Sequence, residues 1–119
     1  MNKRILVLER DRDILEIVTV ILNERGCTVL PFQTEEGVYD KILELMPDAI
    51  LLDIVKLSEF GTKLCRTLKE AEKTKNIPVI VLSTHPKAVE VKKICADEVL
   101  SKPFDLNKLV AVIEEHLLI

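Results

Sequence analysis

The chain has 119 residues, one ordinary domain's worth, of which 48% are apolar and 31% charged, so a core can form beneath a solvated surface. Twenty acids against 17 bases leave a net charge of −3, the wrong sign for a protein that coats nucleic acid. No apolar run reaches the roughly 18 residues of a membrane span, and the stretch after Lys3-Arg4 stops at Leu8, too short for a signal peptide.

Arg4 to Leu8 is a continuous branched run, as in a strand buried on both faces. From Asp11 to Arg25, Ile14, Val18, Ile21 and Leu22 recur at helical spacing, and Gly26 supplies a stop. Cys27 to Phe32 reads as a second strand. Thr34 is then the expected N-cap of a helix through Val38, Ile42, Leu45 and Met46, closed by Pro47. Ala49 to Asp53 is a third buried strand, ending on a carboxylate.

Leu64, Cys65, Leu68 and Ala71 line one face of a third helix, and the charged run from Lys69 to Lys75 reads as its solvated end. Pro78 to Ser83 is a fourth strand, with proline at its first residue where no ladder donor is lost. Ala88, Val91, Ile94 and Cys95 suggest a short helix, and Val99 to Ser101 a brief fifth strand. Asp105 caps a last helix through Leu109, Val110, Ile113 and Leu117. The tail Leu117-Leu118-Ile119 suits either core or a dimer surface.

Strict alternation of five strands and five helices implies right-handed βαβ units and one parallel sheet. The expected class is α/β, a flavodoxin-like doubly wound sheet of order 2-1-3-4-5 in one domain spanning 1–119. The cysteines Cys27, Cys65 and Cys95 are odd in number and lack a CxxC pair, so they are expected to be reduced core thiols of a cytoplasmic protein. Only His85 and His116 could join them, which argues against zinc.

Ligands of such sheets bind outside the carboxyl ends of the strands. Strand 1 delivers Glu9, Arg10 and Asp11 there, strand 3 Asp53, strand 4 Ser83 and Thr84, and strand 5 Lys102. Carboxylates, a hydroxyl and an ammonium in one pocket suit an oxyanion with a hard cation, and an Asp can itself accept a phosphoryl group. A flavin or nucleotide enzyme would want a Gly- or hydroxyl-rich phosphate loop, whereas Glu9 to Asp13 has no Gly, Ser or Thr. No enzyme is therefore expected.

Over essentially its whole length the sequence resembles the receiver domain of bacterial two-component response regulators. The resemblance rests on Ile5 to Glu9, Pro47 to Ile54, Gly61 after Asp53, Leu64-Cys65-Arg66, Ile77 to Ser83 and Ser101 to Leu106. It implies that Asp53 is the phospho-acceptor, served by a sensor histidine kinase, a phosphotransfer protein or a small phosphodonor. Ser83 would be the hydroxyl that moves to the phosphate, and Lys102, aimed by a cis bond to Pro103, would pair with Asp53. Mg²⁺ would be held by Glu9, by Asp53 and by the carbonyl of Val55. A phosphorylated receiver would switch a protein-binding surface on the fourth helix, fifth strand and fifth helix, the same face a homodimer would use. With the chain ending at that helix, a downstream protein partner is expected and direct nucleic-acid or membrane binding is not.

Four departures from the family stand out. Arg10 occupies the position of the second acid, beside the expected metal, where unit charges at about 4 Å and an effective dielectric near 20 interact by roughly 4 kcal/mol. Arg10 either reaches solvent and leaves a weakened Mg²⁺ site or lies over Asp53 as a built-in cation. Val99 replaces the aromatic that reports the hydroxyl's motion. The stretch from Ser83 to Lys102 is short, which should trim the fourth helix. The loop Val55 to Gly61 lacks the usual proline and aspartate, with Phe60 expected to pack down. Asp11 should point elsewhere, His85 should be solvated, and Thr84 either narrows the approach to Asp53 or caps the next helix. Arg10 and Val99 together leave a second reading, a phosphorylation-independent pseudo-receiver acting as a constitutive interaction domain.

Overall fold

The computed structural model describes residues 2–117. Five parallel strands, β1 (Arg4–Leu8), β2 (Thr28–Phe32), β3 (Ala49–Asp53), β4 (Val79–Ser83) and β5 (Glu98–Ser101), form one sheet in the order β2-β1-β3-β4-β5. The helices are α1 (Arg12–Glu24), α2 (Val38–Leu45), α3 (Lys63–Glu70), α4 (Val91–Ile94) and α5 (Leu106–Leu117), with a 3₁₀ turn, Ala88–Glu90, leading into α4. The expected fold class is the observed one.

The strand period of two divides the core. Ile5, Val7, Leu51, Ile80 and Leu82 face α1 and α5, meeting Leu15, Val18, Leu22, Leu109 and Ile113. Leu6, Leu8, Ile50, Leu52, Val79 and Val81 face the other way, onto Val38, Ile42, Cys65, Leu68 and Val91. The continuous apolar strands β3 and β4 are buried at every residue, while β2 lies at an edge, where Pro31 loses no outward donor. Among the described residues, no helix is long and apolar enough to cross a membrane.

Several expectations need correction. Thr34 does not cap α2: the chain turns through Glu35, whose carbonyl accepts from Val38 N–H, and enters the helix from Gly37 at φ +71. The end of α3 is not simply solvated, because Lys69 Nζ meets Asp97 Oδ2 at 2.7 Å and the Ile77 carbonyl at 3.0 Å. Thr74 there is fully buried and donates to Leu68 O. Cys65 and Cys95 are not free thiols but are joined as a disulfide, with Cα atoms 5.9 Å apart, and Cys27 alone is free. The helical period turns Cys65 inward on α3, and the short α4 ends directly over it, a proximity that 30 residues of sequence conceal. In the apolar tail, Leu117 is buried, while Leu118 and Ile119 lie outside the described residues.

Candidate functional site

Two interior strands deliver the buried acids. Glu9 follows β1 and is fully buried, and Asp53 ends β3 with only 4% of its surface exposed. Burying two carboxylates without a counter-charge is costly, and Lys102 answers both. Its ammonium lies 3.0 Å from Asp53 Oδ1 and in ion-pair contact with Glu9 Oε1. The other Glu9 oxygen accepts from the Asp11 backbone N–H at 3.0 Å. Lys102 is placed by β5, its N–H donating to the Ser83 carbonyl at 2.8 Å, and by a cis bond to Pro103. Ser83 itself ends β4 fully buried, its Oγ accepting from His85 N–H at 3.1 Å.

Of the two sequence readings of Arg10, the built-in cation is the one observed. Its Nη1 donates to the Asp53 carbonyl at 2.8 Å and stands 3.4 Å from Asp53 Oδ2. Nη2 holds Glu35 Oε1 at 3.1 Å, so the guanidinium is clamped on both sides although the side chain is 40% exposed. Glu35 went unnoticed in the sequence. The signal was topological: β2 neighbours β1 in parallel register, so the residues following both strands emerge at one edge.

The remaining candidates fall as follows. Asp11 points away, its Oδ1 capping α1 at Asp13 and Ile14 N–H. Thr84 is exposed and makes no cap, whereas half-buried His85 accepts from Lys87 N–H through Nδ1 at 3.0 Å. Val99 is half-buried. Phe60 does not pack down: it is 85% exposed and, with Val55, Lys56 and Gly61, rims a cleft of about 190 Å³ that also exposes Arg10, Glu35 and Asp53. The loop is drawn tight at Gly61, where a Cβ would stand 2.0 Å from the Lys56 carbonyl oxygen, so only glycine fits.

The donors present make a poor cradle for a divalent cation. Glu9 is committed to Lys102 and the Asp11 N–H, and a guanidinium occupies the approach to Asp53. Among the described residues no three His, Cys, Asp or Glu side chains are grouped to hold a metal. Val55, whose carbonyl was expected to complete such a site, is half exposed at the cleft rim. The arrangement instead offers a buried carboxylate between two fixed cations, which suits a group that gains negative charge.

Comparison with known proteins gives one consistent result. The family model described as "Response regulator receiver domain" matches residues 5–114. The phosphate regulon transcriptional regulatory protein PhoB of Pseudomonas aeruginosa is 31% identical over 93% of this chain and 50% of its own length. The DNA-binding response regulator MtrA of Mycolicibacterium paratuberculosis is 28% identical over 98% of this chain and 52% of its own. The chain thus spans about half the length of these curated relatives. Among solved structures, the signal receiver domain of a signal transduction histidine kinase from Syntrophus aciditrophicus superposes with a TM-score of 0.84. It is 26% identical, over 97% of this chain and 89% of that one.

Proposed function

This chain belongs to the response regulator receiver family of two-component phosphorelay signalling, and we propose that Asp53 is its phosphoryl acceptor, with Arg10 and Lys102 supplying the positive charge that transfer requires. The observation that carries this reading is the pair of cations on opposite oxygens of one buried carboxylate. Oδ1 is committed to Lys102 at 3.0 Å. Oδ2 has only longer contacts, 3.4 Å to Arg10 Nη1 and 3.5 Å to Arg10 N–H, and is the freer nucleophile. It attacks phosphorus in line. A new P–O bond forms as the P–N bond of a phosphohistidine breaks, and that bond's electron pair returns to the imidazole, whose other nitrogen carries a solvent proton. From acetyl phosphate the leaving group is acetate. The transferring group spreads charge over its oxygens, and the planar guanidinium can take two of them.

Mg²⁺ serves the family generally; in this chain the guanidinium stands in its electrostatic place. The donor would be a sensor histidine kinase or phosphotransfer protein. The residues read as one receiver domain, 1–119, acting in the cytoplasm through a protein partner at α4, β5 and α5, where a homodimer would also form. The resting pocket holds Glu9, Asp53 and Glu35 against Arg10 and Lys102, so a phosphoryl group adds negative charge to a site already one charge short of neutral. That imbalance drives rearrangement of Ser83 and its neighbours. The second reading, a phosphorylation-independent domain, is not favoured, since acceptor, hydroxyl and lysine are all retained.

Intact mass after incubation with acetyl phosphate tests this. The expected result is a one-phosphoryl gain with Mg²⁺ or with EDTA, lost in Asp53→Asn, and a Mg²⁺ requirement acquired by Arg10→Asp. Labelling of the native chain only with Mg²⁺ would remove Arg10 from its role. No labelling from acetyl phosphate or from a phosphohistidine donor would remove Asp53 from its own.

A further inference from the structure

The disulfide lies away from the acidic pocket and has no part in phosphoryl transfer. Cys65 sits on α3, fully buried, and Cys95 ends α4, partly exposed. Between them run β4, Ser83, the loop through His85, and α4 itself, so the bond closes a loop around the segment that leads from the pocket to the α4 face. Along that segment the buried apolar side chains are Ala88 and Val91, with Ala96 just beyond Cys95. Helix α4 is four residues long and buries only Val91, with Val89 and Ile94 exposed before and within it.

We propose that Cys65 and Cys95 are a thiol–disulfide exchange site, taking a low-molecular-weight disulfide such as glutathione disulfide, whose oxidised form pins α4 to α3 and restrains its response to Ser83. The balance is that of exchange. The accessible Cys95 sulfur, as thiolate, attacks one sulfur of the small disulfide, forming a mixed disulfide and releasing one thiolate. Cys65 then displaces the second small thiolate and forms the intramolecular bond. Two protein thiols are oxidised by two electrons, the small disulfide is reduced, and the two protons lost from the cysteines end on the two small thiols released. Lys92 and Lys93, just before Cys95, give an anionic disulfide a favourable approach; Lys92 is shared with Glu98 at 3.2 Å. Cys27 is an internal control. It is buried in the opposite core layer, and burial, with Glu114 adding, pushes its thiol above the ordinary range, which keeps it inert.

The test equilibrates the full chain in glutathione buffers of graded ratio, blocks thiols with an alkylating reagent in denaturant, and counts them by intact mass. Amide exchange over Val91–Cys95 is followed in parallel. The expected result is a reversible passage from three alkylated thiols to one as the disulfide form of glutathione rises, with slower exchange in the oxidised chain. In Cys95→Ser two thiols react at every ratio and the exchange difference disappears; in Cys65→Ala, the alternative should that variant fold poorly, Cys95 stops at the mixed glutathione disulfide, no intramolecular bond forms and the exchange difference again disappears. Three thiols at every ratio overturns the proposal. So does a bond that survives excess reduced glutathione in the folded chain, or exchange over α4 that is equal in both forms. None of these outcomes depends on whether Asp53 accepts a phosphoryl group.

Discussion

The two faces of the sheet are covered very differently. On one side lie α1 and α5, of 13 and 12 residues, which between them bury eight side chains. On the other lie α2, α3 and α4, of 8, 8 and 4 residues, burying two, two and one. The first face is held by apolar area. The second also has an apolar core, but its short helices add single ties to it: the Cys65–Cys95 bond, Lys69 on Asp97 and the Ile77 carbonyl, and the buried Thr74 hydroxyl on Leu68 O. Area resists local opening, whereas point ties can be cut one at a time, so the second side is where a rearrangement starting at Ser83 can spread.

The comparison can be broken from either side. Leu109→Ala, on the broad face, should cost roughly 2–5 kcal/mol in urea unfolding with an unchanged slope, because the cavity weakens the whole cooperative unit. Reduction of the disulfide, which closes a 30-residue span, should cost about 3.5 kcal/mol overall, yet amide exchange should rise first at α4 and leave α1 and α5 protected. Asp97→Asn should cost about 1–2 kcal/mol, since its carboxylate takes both Lys69 and the Val79 N–H, and should loosen β5 before β1.

The smallest effect is one of pH. Burial alone would raise the Glu98 carboxyl, but the Val99 N–H and Lys92 outweigh it and hold it below its ordinary value. A carboxyl depressed on folding contributes stability that is present above its unfolded value and is lost as pH falls through its native one. Glu98→Gln should remove that part of the acid dependence and cost about 0.5 kcal/mol at neutral pH, measured by thermal unfolding across the acidic range.

Most of this architecture was legible in the residues. The branched runs gave all five strands to within a residue or so, most plainly β1, β3 and β4, because a strand buried on both faces has no alternative composition. Asp53, Ser83 and Lys102 could be assembled from topology alone, as each ends a strand at the same edge. Arg10 left two outcomes open because a long side chain reaches several partners, and its choice rested on Glu35, a residue on another loop. The cysteine bond, the Lys69–Asp97 pair and the outward Phe60 were illegible for a related reason. Each depends on where a short connection returns in space, which periodicity does not encode.

Asp97 has one more consequence. Its N–H donates to the Val79 carbonyl while its carboxylate accepts the Val79 N–H, so the strand entering β5 is hung from the first residue of β4 by a reciprocal pair of bonds. At the far end, Lys102 N–H holds the Ser83 carbonyl, beside the charges that phosphoryl transfer would disturb. The stretch between Ser83 and Asp97 is therefore a strap fastened to β4 at both ends, seated by buried Ala88 and Val91 and showing Val89 to solvent; a phosphoryl group that moved Ser83 would act at one fastening and leave the other in place.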